Sequence, residues 1–360
     1  MASRAVDLIR PEVRAIEGYR VAAPPHTIKL NQNESPIELP DAIRREILER
    51  LRTLPWTRYP DPAASTALPD ALKRSLGLPE GIEIATGNGS NELIQALLGA
   101  VLAPAETVAL PVPTFPLYRQ FAQILAASVV EVPLEPNLTC NAGRLAEAAA
   151  QAGARVVVLA RPNNPTGTAI PLDGIERILT GTDALVVVDE AYGEFASGSV
   201  LPLLGEHDRL VVLRTFSKAF RCAGLRIGYL MATAAFIEQI AKVLPPFNTS
   251  VFSREVALTI VRNLHLLRPG IDAAVAERDR MIESLARIRG IAPIPSKANF
   301  ICFRTDMPPR IVFNRLLERA ILVRDVSGYP LLDDCLRVSV GTPTENRAFV
   351  TALTEIMEER

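Results

Sequence analysis

The sequence predicts an α/β fold with a large, mostly parallel sheet and a smaller C-terminal α+β domain. Short, β-branched apolar runs alternate with helical segments through the middle of the chain, which is typical of parallel strands covered by helices on both faces. After Pro245 and Pro246 the pattern changes to two long amphipathic helices and a few short strands. The chain has 360 residues, 48% of them hydrophobic, so it can bury the cores of two domains.

The elements are predicted in the following order. Residues 1–40 begin with a short helical pattern and continue as a Pro- and Asn-rich segment, which we expect to lie across a domain rather than to fold alone. Helical spacing of apolar residues predicts helices at 41–51, 144–151, 172–179, 252–266 and 271–288. Apolar runs predict strands at 82–86, 107–110, 128–132, 155–160, 185–189, 210–215 and 298–304.

Composition excludes several classes of partner. The net charge of −1 gives no electrostatic reason to expect nucleic acid or an anionic membrane. The N-terminal residues carry frequent charges and no apolar core of a signal peptide, and no run is long and apolar enough for a transmembrane helix. The four cysteines lack paired spacing and the three histidines are scattered. We therefore expect a cytoplasmic protein with reduced cysteines and without a metal.

A lysine follows the predicted strand 210–215. Lys218 is one of only five lysines in the chain. The C-terminal edge of an α/β sheet is where such folds bind ligands, and partial desolvation there would lower the pKa of the amine toward that of a nucleophile. The alternative is an ordinary surface lysine in a loop, and Lys218 alone would favour that interpretation.

Other strand ends also carry chemically useful residues. Residues 87–92 form a Gly-rich turn before a helix, where main-chain N–H groups and the helix dipole can bind an anion. Phe115, which follows Pro113, could stack on a flat ring or belong to the core. Asp189 follows a strongly apolar strand, so it is expected to be partly buried and to need a cationic partner. Its alternatives are a helix N-cap or a magnesium ligand, and the absence of a Walker A sequence weakens the second.

Taken together, nine motifs resemble the pyridoxal-phosphate enzymes of the aspartate aminotransferase superfamily and, within it, the histidinol-phosphate aminotransferases. They occur in family order over nearly the whole chain. The motifs are LNQNESP (30–36), RYP (58–60), GNGSNE (87–92), PTF (113–115), PNNPTG (162–167), VVDEAYGEF (187–195), RTFSKAFRCAGLRIGY (214–229), PSKANF (295–300) and CLRVSVGT (335–342).

This resemblance implies fold type I, with a seven-stranded sheet, pyridoxal 5′-phosphate as cofactor and Lys218 as its covalent attachment point. It places Asp189 against the pyridine nitrogen, which keeps that nitrogen protonated, and Asn164 and Tyr192 near the ring 3′ oxygen. Phe115 would cover the ring. The cofactor phosphate would be held by Ser90, Asn91 and Glu92, chiefly through their main-chain amides, by Thr215, Ser217 and Arg226, and by Tyr59 of the neighbouring subunit in a homodimer.

The resemblance also implies a substrate site. Arg337 stands where the family holds a substrate carboxylate or phosphate, and Arg324 resembles a second arginine of the histidinol-phosphate group. Asn33 and Tyr19 are further substrate candidates. The arginine pair favours a phosphate-bearing substrate, and the alternative is that Arg324 pairs with Asp325 or Asp306 at the surface.

The predicted organisation is an N-terminal arm (1–40), a large cofactor-binding domain (41–250) and a small domain (251–360). The expected reaction transfers the amino group of L-histidinol phosphate to 2-oxoglutarate, giving imidazole acetol phosphate and L-glutamate. Arg161, where a small polar residue is more usual, leaves open a relaxed substrate range. An aromatic amino-acid aminotransferase is therefore the first alternative and a phosphothreonine-type decarboxylase the second. A cofactor-binding regulator is disfavoured because no DNA-binding module is visible.

Overall fold

The computed structural model describes residues 4–18, 24–61 and 66–359. Its helices are α1 (Arg4–Asp7), α2 (Pro11–Arg14), α3 (Asp41–Thr53), α4 (Ala67–Leu76), α5 (Ser90–Val101), α6 (Pro116–Ile124), α7 (Ala142–Gln151), α8 (Leu172–Gly181), α9 (Ala234–Ala241), α10 (Val251–Arg262), α11 (Leu264–Leu285), α12 (Pro309–Glu318) and α13 (Pro343–Glu358). None of the described helices is long and apolar enough to cross a bilayer.

The strands are β1 (Ile28–Lys29), β2 (Ile82–Gly87), β3 (Thr107–Val112), β4 (Ser128–Pro133), β5 (Val156–Ala160), β6 (Leu185–Asp189), β7 (Leu210–Thr215), β8 (Gly228–Thr233), β9 (Ile291–Pro293), β10 (Phe300–Thr305), β11 (Ile321–Leu322), β12 (Arg324–Asp325) and β13 (Cys335–Ser339). The predicted strands are all present, with ends shifted by at most a few residues.

The large sheet has seven strands in the order β2-β8-β7-β6-β5-β3-β4. Strands β3 to β7 are mutually parallel, and β8 runs antiparallel to both β7 and β2. Both faces are buried: Val186 and Val188 of β6 pack into one hydrophobic core, whereas Val187 packs into the core on the opposite face. This explains why the strands appear in the sequence as continuous apolar runs.

A second, four-stranded antiparallel sheet has the order β12-β13-β10-β9 and packs against α11, α12 and α13 through its own core. The arm joins this unit, because β1 pairs in parallel with β11 and Leu30 is buried in the same core. The last helix begins with a capping box in which Thr342 and Glu345 bond each other's main-chain N–H.

Two features differ from the sequence prediction. Strand β8 was not predicted, since a short apolar run such as its residues 228–233 fits a helix or a strand equally well. The predicted break between helices at 267–270 is wrong: α10 ends at Arg262, and α11 continues through Pro269. Leu267 and Ile271 on either side of the proline are buried, and their packing offsets the cost of about 3 kcal/mol for a proline inside a helix.

Candidate active site

A cleft of about 400 Å³ lies at one edge of the large sheet. Strands β2, β3, β5, β6 and β7 end at this edge, and β8, which runs the other way, begins there. The topology therefore collects residues that are far apart in the chain. The sequence-predicted residues that line the cleft are Asn33, Ser90, Asn91, Phe115, Asn164, Asp189, Tyr192, Thr215, Ser217, Lys218, Arg226, Arg324 and Arg337.

Lys218 lies just beyond the end of β7 and its side chain is partly buried. Its Nζ donates a hydrogen bond to the main-chain oxygen of Gln32 at 2.9 Å and lies 5.9 Å from the centre of the Tyr192 ring. Burial lowers the pKa of the amine from 10.5 to about 8, and the charge of Arg337 acts in the same direction. The geometry excludes the surface-loop alternative, and a large part of this amine is neutral near pH 8.

Asp189, at the end of β6, is 5% exposed. Its carboxylate accepts hydrogen bonds from Tyr118 Oη at 2.8 Å and from the Ala191 main-chain N–H at 2.9 Å. Burial raises the pKa of Asp189, and these two bonds oppose the rise. Within the described ranges no Lys, Arg or His pairs with this carboxylate, so a positively charged group of a ligand would complete it.

An anion-binding pocket forms where α5 begins. Gly89 precedes the helix with a φ of 84°, and Ser90 and Asn91, the first residues of α5, line the cleft. Arg226 Nη1 lies 3.3 Å from Ser217 Oγ, which also accepts a hydrogen bond from Thr215 Oγ1 at 3.0 Å. A guanidinium and the positive end of a helix dipole thus share one space, an arrangement that favours a bound dianion.

Two glycines allow the backbone to approach this closely. A Cβ atom on Gly89 would lie 2.5 Å from Arg226 Nη2, and one on Gly228 would lie 2.5 Å from the Ser90 main-chain nitrogen. At Gly228 the obstacle is main chain, which leaves no room for a side chain, whereas at Gly89 the positive φ of 84° disfavours one. The pocket is therefore built from main chain and guanidinium in direct contact.

Asn164 and Tyr192 also line the cleft. Asn164 Oδ1 accepts a hydrogen bond from Arg337 Nη1 at 2.5 Å, and Tyr192 Oη accepts one from Asn33 Nδ2 at 2.9 Å. The Phe115 ring stands edge-on to Tyr118, with 5.5 Å between ring centres. Phe115 therefore lines the cleft and also packs against the hydrophobic core, which combines both interpretations from the sequence.

Arg324 and Arg337 are directly opposite each other on the antiparallel strands β12 and β13. Arg337 also donates to the main-chain oxygen of Asn31 at 2.9 Å, and its guanidinium lies 5.1 Å from the Phe300 ring centre. The Arg324 guanidinium has no ion pair or hydrogen bond with any other residue that the structure describes. Asp325, one of its suggested partners, instead accepts from Ser327 and lies 3.7 Å from Arg310.

Two predicted residues that the structure describes, Glu92 and Tyr59, do not line the cleft. The Glu92 carboxylate accepts hydrogen bonds from the Asn88 main-chain N–H and from Asn248 Nδ2, so its side chain serves the turn instead. Only its main-chain N–H remains a candidate for phosphate binding. Tyr59 is 80% exposed and stacks on Phe247 at 4.8 Å. Tyr19 lies outside the described residues.

Some cleft residues were not predicted. They include Tyr118, which follows Phe115 by three positions at the start of α6, and the main-chain oxygens of Asn31 and Gln32. Glu34 and Tyr329 also line the cleft. The only sequence signal for Tyr118 was its position on the first turn of a helix that begins at a strand end.

Behind the cleft lies a buried ionic network. Arg214 donates two hydrogen bonds to Glu190 Oε2, at 2.8 and 3.1 Å, and Glu190 is fully buried. Arg161 Nη1 lies 3.7 Å from Glu190 Oε1 and donates to the main-chain oxygen of Gly198, whereas Arg161 Nε donates to the main-chain oxygen of Ile170. The unusual arginine before the Asn164 turn is thus a structural residue, and it does not reach the substrate side.

Comparison with known proteins agrees with this geometry. The family model for aminotransferase class I and II matches residues 25–353. A histidinol-phosphate aminotransferase of Chlorobium chlorochromatii is 38% identical over 98% of this chain and 97% of the relative. One of Chlorobium phaeovibrioides is 40% identical over 97% of this chain and 96% of the relative. The structure of a histidinol-phosphate aminotransferase from Sinorhizobium meliloti in complex with pyridoxal-5′-phosphate superposes with a TM-score of 0.87, at 24% identity over 98% of both chains.

Proposed function

The chain belongs to the aminotransferase class I and II family, and from that premise we propose that it transfers the amino group of L-histidinol phosphate to 2-oxoglutarate. Pyridoxal 5′-phosphate is the cofactor, and the products are imidazole acetol phosphate and L-glutamate. The reaction belongs to histidine biosynthesis, in agreement with the names of relatives that match this chain over almost its full length.

The observation that carries the substrate assignment is the pairing of Arg324 with Arg337. Like charges directly opposite on neighbouring strands repel each other, and an anion between them removes that cost. Both side chains line the cleft that contains Lys218. They lie on the small sheet, whereas the anion pocket at α5 lies on the large one, so the cleft offers one site to a cofactor phosphate and another to a substrate phosphate.

The residues present fit the cofactor. Asp189 is a buried carboxylate that lacks a cationic partner in the described chain, and a protonated pyridine nitrogen would supply one. The pocket formed by Ser90, Ser217 and Arg226 has the donors and charge for a phosphate dianion. Lys218 provides an amine with a lowered pKa between these two sites.

Each residue then has a defined task. The cofactor, when bound, supplies an electron sink for the carbanion formed at the substrate Cα. Lys218 would hold the cofactor covalently and would carry the proton that moves between the substrate Cα and the cofactor. Asp189 would keep the pyridine nitrogen protonated, and Asn164 and Tyr192 would offer hydrogen bonds to the ring 3′ oxygen. Phe115 would pack against the ring.

The second half-reaction requires the same site to accept a dicarboxylate. Arg337 is suited to both substrates, because a guanidinium binds a carboxylate or a phosphate with two parallel hydrogen bonds. Asn31 and Asn164 hold it in place with acceptors of their own. Arg324 adds the charge that a phosphate dianion needs and a carboxylate does not. Asn33 and Tyr19 remain proposed substrate neighbours.

The assembly is part of the proposal. Tyr59 reaches the cofactor phosphate of the partner in a homodimer; its 80% exposure and the nearby exposed rings of Trp56 and Phe247 support a contact surface here. The division into arm (1–40), large domain (41–250) and small domain (251–360) is retained, although α10 shares the core of the large sheet. The four free cysteines support a cytoplasmic location.

A half-reaction tests the assignment. The protein loaded with pyridoxal phosphate is mixed with L-histidinol phosphate or, separately, with phenylalanine, and the loss of the cofactor's visible absorption is followed. We expect fast loss with histidinol phosphate only. Replacing Arg324 by Gln should slow that reaction by about 10-fold to 100-fold at subsaturating substrate, as expected for a lost charged hydrogen bond.

Arg310→Gln is the matched control, because Arg310 is exposed and lies near Asp325 on the same unit. It should leave the rate unchanged. A preference for phenylalanine would refute the proposed substrate and move the function to aromatic transamination, with Lys218 and the cofactor unaffected. Release of CO₂ from a phosphothreonine-type substrate would instead indicate the decarboxylase.

A further inference from the structure

A strap formed by Asn31, Gln32 and Asn33 crosses from the small sheet to the edge of the large one. The main-chain oxygen of Leu30, just before it, accepts from the Ser339 N–H at 2.8 Å. At its other end, the Asn33 main-chain oxygen accepts from Asn299 Nδ2 at 3.1 Å. The strap is thereby fixed to β13 and to the turn before β10.

Asn33 is the residue at which these contacts converge. It is 1% exposed and has a φ of 56°, a left-handed conformation that Asn adopts more readily than most residues. Its main-chain N–H donates to Ser339 Oγ at 2.8 Å, and Ser339 Oγ lies 3.2 Å from Asn33 Oδ1. A serine hydroxyl has one hydrogen. The Ser339 hydroxyl accepts from the Asn33 N–H, so it donates its own hydrogen to Asn33 Oδ1.

This contact determines which way the Asn33 amide faces. With Oδ1 bound to Ser339, the NH₂ group must face the other way, and Nδ2 lies 2.9 Å from Tyr192 Oη. An amide N–H can only donate, so the Tyr192 oxygen is the acceptor and its own hydrogen is not used in this bond. The Tyr192 ring is meanwhile fixed edge-on against Phe300, at 5.1 Å between centres.

We propose that Asn33 is a positioning residue that acts through Tyr192, and that Ser339 sets the orientation of its amide. By donating to the tyrosine oxygen, Asn33 directs the Tyr192 hydrogen toward the ring oxygen of the cofactor. Because it accepts this bond from Asn33, the Tyr192 hydroxyl is also a stronger hydrogen-bond donor. This inference rests on the proposed cofactor but is independent of the substrate, and it gives Asn33 a task other than substrate contact.

The test uses the visible absorption of the lysine-bound cofactor, which changes with pH as the nitrogen linking Lys218 to the cofactor loses its proton. A donor to the ring oxygen stabilises the deprotonated form. Asn33→Ala should therefore raise the midpoint pH of this change, by less than the rise of about 1 expected when the Tyr192 hydrogen bond to a charged group is lost altogether. Ser339→Ala, which keeps Asn33 but frees its amide, should raise the midpoint by a smaller amount.

Tyr192→Phe distinguishes an effect of Asn33 through the Tyr192 hydroxyl from a general effect of Asn33 on the fold. Tyr192→Phe alone should raise the midpoint. The double variant with Asn33→Ala should show no further rise, because Asn33 acts only through the Tyr192 hydroxyl, which is absent in both. Asn137→Ala, on an exposed turn, is the control and should leave the midpoint unchanged. Thermal unfolding of each cofactor-free variant checks that the variant folds. If Asn33→Ala does not fold, the midpoint of Ser339→Ala is the measurement that tests the inference.

Two results would overturn the inference: an unchanged midpoint in both the Asn33 and the Ser339 variants, or an equal rise from Asn33→Ala with and without the Tyr192 hydroxyl. Failure of the wild-type protein to bind pyridoxal phosphate would overturn the proposed function together with this inference. Failure to react with histidinol phosphate would overturn only the substrate, since the titration contains no substrate.

Discussion

The Lys218 amine is neutral at a lower pH than an ordinary lysine because its surroundings exclude water and place Arg337 nearby. We predict that pyridoxal phosphate attaches to the cofactor-free protein at a rate that rises with pH and levels off above about 8. Borohydride trapping across this range, followed by peptide mapping, measures the rate. Label on Lys242 or Lys297 instead of Lys218 would contradict the assignment.

The lowered pKa of Lys218 also affects the stability of the folded protein. The pKa of Lys218 is lower in the folded state, so between about pH 8 and 10.5 the unfolded chain binds more protons and folding becomes more favourable as pH rises. Below pH 8 the charged amine opposes folding. Lys218→Met should therefore raise the free energy of unfolding of the cofactor-free protein at pH 7 by on the order of 1 kcal/mol. Urea unfolding at pH 7 and pH 10 measures it, and an equal gain at both would contradict the titration.

Tyr118 is the other residue whose role is local. Its hydroxyl donates to Asp189 and opposes the rise in the pKa of that carboxyl caused by burial. Tyr118→Phe should raise the pKa of Asp189 further and weaken pyridoxal phosphate binding by about 10-fold, with a larger loss as pH falls. Titration of cofactor binding at several pH values tests this. A loss that is independent of pH would point to altered packing instead.

At the scale of elements, the start of α5 and the start of β8 are in contact through Gly228. Gly228→Ala would bring Cβ within 2.5 Å of the Ser90 main-chain nitrogen. We expect it to separate the two elements and weaken binding of pyridoxal phosphate by at least about 10-fold, because the anion pocket depends on their spacing.

Gly99 offers the matched control within the same helix. A Cβ there meets nothing within 4 Å, and its backbone is helical. Gly99→Ala should leave cofactor binding unchanged and stabilise the protein by about 0.5 to 1 kcal/mol. Equal effects of the two substitutions, measured by cofactor titration and thermal unfolding, would show that the contact at Gly228 is not what shapes the pocket.

At the scale of the whole molecule, the proposed dimer makes each site depend on two chains. Lys218→Ala and Tyr59→Ala should each be nearly inactive alone. After mixing and subunit exchange, half of the dimers are heterodimers with one intact site, so activity should recover to about a quarter of the wild-type value. Assay of the mixture against each separate variant measures this. No recovery, despite exchange shown by mass-labelled subunits, would mean that Tyr59 serves its own chain or none.

Much of this molecule follows from the sequence by itself. Continuous apolar runs separated by helices require a buried parallel sheet, and parallel strands end at one edge, so Asn164, Asp189 and Lys218 had to meet there. Residue type narrowed the chemistry at this edge, and the nine motifs decided between the uses that an amine, a carboxylate and an anion pocket can have there. The order of the motifs along the chain was enough to identify the family, without any distance between residues in the folded chain.

The tertiary structure decided what depends on contacts between distant residues. Tyr118 reaches Asp189 across 71 positions, and Asn33 meets Ser339 across 306. The register of β12 against β13 placed Arg324 opposite Arg337, whereas the sequence favoured this pair but left open the alternative that Arg324 pairs with Asp325 or Asp306. No local pattern encodes such pairings, because strand register and the direction of an amide are settled by packing and hydrogen bonding in the folded chain.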